Sequence, residues 1–389
     1  MIPTNEAAGD LGKASTSMNR VAENSSLVSV VMAVYNAGQY LEKSIGSILN
    51  QTFGEFEFII INDGSTDETA TILNSFGDAD NRIKVFHHEN RGFHPALNVG
   101  CKLATGKYIA RMDADDISLP ERFARQLSFL ETYPEIAVCG SWVKKIGKSR
   151  GNVWRLPTNP DEIRCTLLFN NPIAHPAAMI RRDALAEVGY YDETYLYTGD
   201  YACWTKIAEK RAIANIPEVL LHYRVHPAQM GTSYSDDLRA SEHKRGQAYQ
   251  LERMGLSPTR EGIDIHNFLS VVKLPTTPVY PSFNSMQKAN EWLLKLKTAN
   301  DRSQVYSEPM FSQILSTHWY FLCRANTKIG LGAWRTYSSS PLVENKRIAA
   351  REKAAFVLKS VLRYDVNNRL YLFKIARKFF ALQEKLGIG

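Results

Sequence analysis

The sequence of 389 residues lacks a long apolar segment. No apolar run reaches the roughly 18 residues that a membrane-spanning helix requires. The first 26 residues are small and polar and contain no apolar core of the kind that a secretory signal has, so we interpret residues 1–26 as a flexible arm. These features disfavour an integral membrane protein and a signal-directed secreted protein.

Cysteine is also scarce. The chain has 5 cysteines, an odd number, and they are scattered rather than paired in short motifs. This pattern disfavours a disulfide framework and a cysteine metal site. We therefore expect buried thiols in a reducing compartment, which indicates a cytoplasmic protein.

Positive charge is concentrated near the carboxyl terminus. The net charge is +7, and residues 346–389 contain eleven Lys or Arg against three Asp or Glu. Within this segment, the run from Arg369, RLYLFKIARKFFALQEKL, alternates bulky apolar and basic residues at helical spacing. Two interpretations stay open: an amphipathic helix on an anionic membrane surface, or a packed terminal helix with a solvated basic face. No nucleic-acid-binding motif accompanies the charge, so we expect no nucleic-acid partner.

Three short apolar runs end in polar residues, and they organise the first half of the chain. These runs are VSVVMAVYN (28–36), FEFIIINDGSTD (56–67) and GKYIARMDADD (106–116). Apolar residues at helical spacing lie between the first two runs. Alternation of buried strands with helices predicts a doubly wound α/β domain, in which ligands bind beyond the carboxyl ends of the strands.

The third run ends in three carboxylates, those of Asp113, Asp115 and Asp116. Two carboxylates one residue apart suit a divalent cation that takes its other ligands from water and from substrate phosphates. The alternative is a solvated turn before a helix that begins at Pro120.

These motifs, in this order, resemble family 2 glycosyltransferases of the GT-A fold. The segments that carry the resemblance are VVMAVYN, INDGSTD and NRGFHPALNVGCKLATGKYIARMDADD, and the match extends over residues 27–234, about half of the chain. The resemblance implies a GT-A catalytic domain with a mixed sheet at residues 27–235. Helical patterns in residues 236–389 predict a mostly helical, basic C-terminal region.

The resemblance also implies a set of residues that contact a nucleotide-sugar donor. These are Val34, Tyr35, Asn36, Asp63, Asn98, Asp113 and Arg224. Asn36 has a second interpretation as a helix N-cap. Leu97 stands where the family often has arginine, which weakens the expectation of base and phosphate contacts from this helix.

For the cofactor, the family implies Mn²⁺ or Mg²⁺ held by Asp115 and His226. The metal would neutralise charge on the leaving nucleoside diphosphate. Asp116 is interpreted as a cap for the following helix. The alternative for His226 is a structural histidine.

On the acceptor side, the family implies that Asp200 is the general base and that His175 and Trp204 line the acceptor wall. The family usually has Glu-Asp at this point, whereas this chain has Gly199 before Asp200. The alternatives are an N-cap for Asp200 and a half-buried loop histidine for His175.

The sequence therefore predicts an inverting, metal-dependent glycosyltransferase. We expect transfer from a UDP-sugar to a hydroxyl of a glycan, glycolipid or lipid-linked acceptor in cell-surface polysaccharide biosynthesis. One alternative is a non-catalytic nucleotide-sugar-binding or assembly subunit, which the glycine before Asp200 makes plausible. A sugar nucleotidyltransferase is less favoured because the chain lacks a glycine-rich basic loop near its N-terminus.

Overall fold

The structure is a computed structural model that describes residues 26–148, 151–230, 234–271, 283–345 and 348–363. The predicted flexible arm, apart from residue 26, and the basic run from Arg369 lie outside these residues. Contacts divide the chain into two units, one of residues 1–158 and 173–233 and the other of residues 159–172 and 234–389. The predicted domains are continuous in sequence, whereas the contacts group residues 159–172 with the second unit.

The described residues form nine strands and thirteen α-helices. The strands are β1 (Val28–Val34), β2 (Phe56–Asp63), β3 (Ile83–His88), β4 (Tyr108–Arg111), β5 (Ile117–Ser118), β6 (Ile136–Gly147), β7 (Val153–Trp154), β8 (Met179–Arg181) and β9 (Ala212–Val225). The helices are α1 (Gly38–Leu49), α2 (Thr69–Ala79), α3 (Phe93–Leu103), α4 (Arg122–Thr132), α5 (Pro160–Leu167), α6 (Arg182–Glu187), α7 (Gly199–Lys210), α8 (Asp236–Arg253), α9 (Arg260–Val271), α10 (Phe283–Ser303), α11 (Met310–Ala325), α12 (Leu331–Ser338) and α13 (Ala350–Val361).

One mixed sheet organises the first unit, with strand order β3-β2-β1-β4-β8-β6-β9-β5 and β7 paired with β6. The pairs β1–β2, β1–β4 and β2–β3 are parallel. Every residue of β1 and β2 is buried, as expected for central parallel strands with both faces covered. In α1, Leu41, Ile45 and Ile48 are buried at helical spacing, so this helix covers part of the sheet.

The other half of the sheet changes direction. Strand β8 pairs antiparallel with β4 and β6, and β6 pairs parallel with β9. Because β1, β2 and β4 run parallel, their carboxyl ends, which are followed by the predicted polar residues, lie along one edge of the sheet. This arrangement confirms the predicted doubly wound mixed sheet.

The second unit is helical and consists of α5 and α8 to α13. Phe169, which follows α5, is fully buried between two histidine rings. Its ring centroid lies 4.7 Å from that of His266 and 3.9 Å from that of His318. The predicted helical character of this region is confirmed. Within the described part of the chain, none of the helices combines the length and apolarity needed to cross a bilayer.

The five cysteines all lie among the described residues, are buried and form no disulfide. Burial raises the pKa of Cys101 and of Cys165 to about 12. Thiols with such pKa values are almost fully protonated at neutral pH and react slowly. The prediction that the cysteines are buried is confirmed.

Candidate active site

Three carboxylates cluster directly after β4. One oxygen each of Asp113, Asp115 and Asp116 lies within 4.8 Å of the others. Asp116 is only 1% exposed, and its Oδ2 has no hydrogen-bond partner among the described residues. Burial, followed by the charges of Asp115 and Asp113, raises the pKa of Asp116 well above its usual value. A compact set of hard oxygen ligands under mutual repulsion fits a divalent cation.

A buried arginine that the sequence analysis missed stands beside this cluster. Nη1 of Arg111 lies 2.5 Å from Oδ1 of Asp113, and its guanidinium lies over the Phe93 ring at 5.0 Å. Arg111 is 1% exposed, and within the described residues none of its guanidinium nitrogens has hydrogen-bond geometry to a partner. Burial raises the pKa of Asp113 and Arg111 opposes this rise. The signal in the sequence is a charged residue at the end of an otherwise apolar strand.

The end of β9 holds the acidic loop in place. Arg224 donates from Nε to the carbonyl oxygen of Asp115 and from its backbone N to Oδ1 of Asp116, both at 2.7 Å. Nε2 of His226 lies 2.8 Å from Oδ2 of Asp115. The Arg224 guanidinium and the His226 ring both contact the Tyr40 ring, at 4.7 and 4.8 Å. The fold therefore brings together Asp115 and His226, the two residues that the sequence analysis assigned to the metal.

The predicted capping role of Asp116 is wrong. Strand β5 follows Asp116 directly, and the next helix, α4, has Glu121 as its N-cap. Asp116 is instead the buried member of the acidic cluster, and its Oδ1 accepts a hydrogen bond from the backbone N of Arg224.

The loops after β1 and β2 bind each other. Val34 is buried, whereas Tyr35 is 52% exposed beyond the strand end. Oδ1 of Asn36 accepts a hydrogen bond from the backbone N of Thr66 at 2.8 Å. The N-cap of α1 is Ala37, so the alternative role of Asn36 as that cap is wrong. Asn36 ties the two strand-end loops together beside the exposed Tyr35 ring.

Asp63 lies at the end of β2, where its side chain holds a loop. Oδ1 accepts from the backbone N of Arg91, and Oδ2 accepts from that of Gly92, both at 2.9 Å. A carboxylate has about four acceptor sites, so capacity for a ligand hydroxyl or amide remains. The donor contact of Asp63 stays a prediction.

Asn98 is buried in α3 and binds a segment that precedes α7. Its Nδ2 donates to the carbonyl oxygen of Tyr191 at 2.8 Å and to Oε1 of Glu193 at 2.9 Å. Its Oδ1 accepts from the backbone N of Tyr191 at 3.0 Å. These three bonds tie α3 to Tyr191 and Glu193 and favour a structural role for Asn98; its donor contact stays a prediction.

The predicted acceptor-wall residues lie together in an aromatic cluster. Nε2 of His175 lies 3.0 Å from the hydroxyl oxygen of Tyr191, and its ring centroid lies 5.9 Å from that of Trp204 and 6.1 Å from that of Phe93. Trp204 is fully buried, and its Nε1 has no hydrogen-bond partner within the described residues. Burial and the nearby Arg111 charge lower the pKa of His175 well below its usual value, so the imidazole is neutral at pH 7.

Asp200 lies in the first turn of α7. The N-cap of this helix is Thr198, so Asp200 is not the N-cap residue. Its Oδ1 accepts from the backbone N of Tyr201 at 2.7 Å, and the residue is half-buried. The helix N-terminus stabilises a negative charge at this position. The first unit thus contains the acidic cluster after β4 and an aromatic cluster that includes His175. The Phe93 ring lies between them, because it contacts Arg111 beside the acidic cluster and His175 in the aromatic cluster.

The sequence of this chain is similar to those of known glycosyltransferases. The sequence model of the family described as Glycosyl transferase family 2 matches residues 29–189. An uncharacterized glycosyltransferase of Haemophilus influenzae is 34% identical over 267 residues, which cover 65% of this chain and 81% of the relative. The amylovoran biosynthesis glycosyltransferase AmsE of Erwinia amylovora is 32% identical, with 51% of this chain and 76% of the relative covered. The O-antigen biosynthesis glycosyltransferase WbnJ of Escherichia coli is 34% identical, with 51% and 80% covered.

A solved structure shares the fold. The structure of S. aureus TarS residues 1–349 in complex with UDP-GlcNAc superposes with a TM-score of 0.52 at 18% sequence identity, covering 80% of this chain and 89% of TarS 1–349. The similarity shows a common architecture, which confirms the GT-A type of fold predicted from the sequence.

Proposed function

This chain belongs to glycosyl transferase family 2, and we propose that it transfers one sugar from a nucleotide-sugar to a hydroxyl group of its acceptor. The observation that carries the proposal is the cluster of Asp113, Asp115 and Asp116 at the carboxyl edge of the parallel strands. Ligands bind at this edge in doubly wound sheets, and the cluster suits the metal ion that accompanies a diphosphate.

We propose that Asp115 and His226 hold Mn²⁺ or Mg²⁺, with Asp113 or Asp116 completing the protein ligands. When bound, the cation supplies charge neutralisation to the leaving nucleoside diphosphate. The remaining ligand capacity of the cluster is supported by the buried Oδ2 of Asp116, which has no hydrogen-bond partner in the described residues. Arg224 holds the carbonyl of Asp115 and so orients the loop.

We propose that the nucleotide-sugar donor binds near the strand ends. The residues proposed to contact it are Val34, Tyr35, Asn36, Asp63, Asn98, Asp113 and Arg224. The exposed ring of Tyr35 is available to pack beside a base, and Asp63 retains acceptor capacity for the base or ribose. We take a UDP-sugar as the first donor class to test.

On the acceptor side we propose that Asp200 is the general base. Asp200 takes the proton of the acceptor hydroxyl as that oxygen attacks the anomeric carbon. The new carbon–oxygen bond forms while the bond from the anomeric carbon to the diphosphate oxygen breaks, and this single displacement inverts the anomeric configuration. His175 and Trp204 form the wall beside the base.

We further propose that the acceptor is a glycan, glycolipid or lipid-linked precursor of a cell-surface polysaccharide. Support comes from the relatives named for amylovoran and O-antigen biosynthesis. We also propose that the enzyme acts in the cytoplasm, at the cytoplasmic face of a membrane.

The first test is a panel of nucleotide-sugars assayed for binding and for turnover with Mn²⁺, with Mg²⁺ or with EDTA. We expect one donor to bind and react only when metal is present. We expect Asp115→Ala to lose this metal-dependent binding and turnover. The matched control is Asp78→Ala, the same change at an exposed position of α2. Binding without turnover, in the presence of candidate acceptors, favours the assembly-subunit alternative. Absence of binding to every donor by folded protein contradicts the proposed function.

Contact with an anionic membrane is a separate part of the proposal. Leu358 (58%) and Val361 (55%) of α13 and Leu362 (39%), which follows it, are exposed, and they precede the basic run in the sequence. We expect the full chain to sediment with phosphatidylglycerol vesicles and not with phosphatidylcholine vesicles. Replacing Lys374, Arg377 and Lys378 by glutamine lowers this sedimentation if the basic run contacts the lipid. If the wild-type chain and the glutamine variant sediment equally with phosphatidylglycerol vesicles, the proposed contact between the basic run and lipid is contradicted.

A further inference from the structure

Gly199 begins α7 directly before Asp200, and an imidazole occupies the space beside it. A Cβ atom at residue 199 would lie 2.4 Å from Nε2, 2.7 Å from Cε1 and 2.8 Å from Cδ2 of His94. Real Cβ atoms essentially never approach other atoms closer than 3.0 Å. Residue 199 therefore has room for glycine only while the His94 ring keeps its position.

The ring of His94 is fixed by its surroundings. His94 is 2% exposed, and its Nδ1 lies 2.7 Å from the carbonyl oxygen of Tyr195. A carbonyl oxygen accepts hydrogen bonds and cannot donate them, so Nδ1 carries the hydrogen. The ring stacks near Tyr191 at 6.0 Å and meets Phe93 edge-on at 5.2 Å. Movement of the ring away from Gly199 would break these contacts.

The two residues therefore form a matched pair across two helices. His94 is the second residue of α3, and Gly199 is the first residue of α7. The pair differs from Gly46 in α1, a half-buried helical glycine at which a Cβ atom would meet nothing within 4 Å. At Gly199 the tight neighbour is a polar ring, and the next residue in the chain is the proposed base.

We propose that His94 takes the place of the side chain that usually precedes the base, and that it positions Asp200 by holding the first turn of α7. The inference rests on the proposed function, because it takes Asp200 as the base. The acceptor side is then built with one carboxylate and a buried imidazole instead of two adjacent carboxylates. His94 acts through Asp200 and is a positioning residue.

A double-mutant cycle between residues 94 and 199 tests this proposal. His94→Asn keeps an N–H donor for the Tyr195 carbonyl but removes the ring atoms that face Gly199. Gly199→Ala introduces the Cβ atom that collides with the ring. The four proteins of the cycle are compared in turnover of UDP-N-acetylglucosamine or of the panel donor that reacts fastest, in UDP affinity and in melting temperature. Gly46→Ala is the matched control for a glycine-to-alanine change in a helix.

We expect Gly199→Ala to lower turnover by at least about tenfold, because a small displacement of a base has a large effect on rate. In the His94→Asn background, Gly199→Ala should lower turnover by less than about twofold, because the ring that collides with the new Cβ atom is absent. UDP affinity should stay unchanged in all four proteins because the donor side is not altered. Gly46→Ala should be additive with His94→Asn.

Additive effects of His94→Asn and Gly199→Ala on turnover overturn the proposal, as does an equal loss of UDP affinity and turnover. If Gly199→Ala alone fails to fold, recovery of the fold in the double variant supports the proposal, and failure to recover overturns it. Asp200→Asn is measured alongside. Wild-type turnover by Asp200→Asn shows that the proposed base is wrong, while the melting temperatures still decide whether residues 94 and 199 are coupled.

Discussion

The two units of this protein both bury histidine and aromatic side chains, but they surround them differently. In the helical unit, His266 has partners for both ring nitrogens: Nε2 donates to the carbonyl oxygen of Leu168 at 2.8 Å, and Nδ1 accepts from Nε1 of Trp292 at 3.1 Å. In the α/β unit, Oδ2 of the buried Asp116 has no hydrogen bond to any described residue, and the buried guanidinium of Arg111 is held by its ion pair with Asp113 at 2.5 Å.

Neutral buried atoms without a hydrogen-bond partner among the described residues occur in both units, for example Oε1 of Gln247 in the helical unit, so the difference between the units lies in the buried charged groups. Burying a polar group without a partner costs free energy, and burying a charge costs more. A buried charge that lacks a full set of partners is expected where a ligand or an ion provides the missing interaction. Burial of a histidine is therefore weak evidence of function, whereas an incompletely satisfied buried charge is stronger evidence.

The largest effect is expected in the α/β unit, at the proposed base. Asp200→Asn keeps the size of the side chain and removes its ability to take a proton. We expect turnover to fall by about 10²- to 10⁴-fold, the usual contribution of general acid–base catalysis. UDP affinity and melting temperature should change little, because Asp200 is only half-buried and is not among the proposed donor-side residues. A turnover rate equal to that of the wild type would show that Asp200 is not the base.

The second effect belongs to the helical unit and should appear in stability instead of catalysis. Phe169→Ala removes the fully buried ring between His266 and His318. Loss of a buried Phe usually costs about 3–5 kcal/mol in the free energy of unfolding. Thermal unfolding and amide hydrogen exchange in α9 and α11 would measure the loss. Leu358→Ala is the control, and because Leu358 is 58% exposed it should have little effect. Comparable losses for the two variants would contradict the assigned packing role of Phe169.

The smallest effect is a dependence of stability on pH. Burial lowers the pKa of His266 from 6.5 to about 4. Between these pH values the unfolded chain binds a proton that the folded protein does not, so stability falls as pH decreases from 6.5 towards 4. The expected slope from this group is about 1.4 kcal/mol per pH unit. Urea unfolding between pH 7 and 5 should show a smaller slope for His266→Gln than for the wild type; equal slopes would contradict the assignment.

Much of the fold follows from local pattern. Apolar runs that end in polar residues predicted β1, β2 and β4, and the spacing of apolar residues predicted α1 between the first two. The strand ends of a doubly wound sheet share one edge, so Asp63 and the acidic run were expected near each other. The helical character of the second unit was equally visible from periodicity.

Parts of the site were beyond such patterns. Arg111 is the last residue of β4, and nothing in the sequence indicates that its guanidinium lies beside Asp113 and Phe93. The sequence pattern predicts a helix cap at Asp116, because acidic residues are common before helices, but β5 lies between Asp116 and the next helix. The grouping of residues 159–172 with the second unit also depends on contacts that no linear pattern displays.

The sequence by itself determined which segments become strands and helices and which chemical groups stand at their ends, because those properties depend on neighbours a few residues away. Tertiary structure alone decided which groups meet. Asp115 and His226 are separated by 111 positions and lie 2.8 Å apart, and His94 fills the space that Gly199 leaves open. Hydrogen bonds, ion pairs and collisions act over a few ångströms, so only the folded chain could show them.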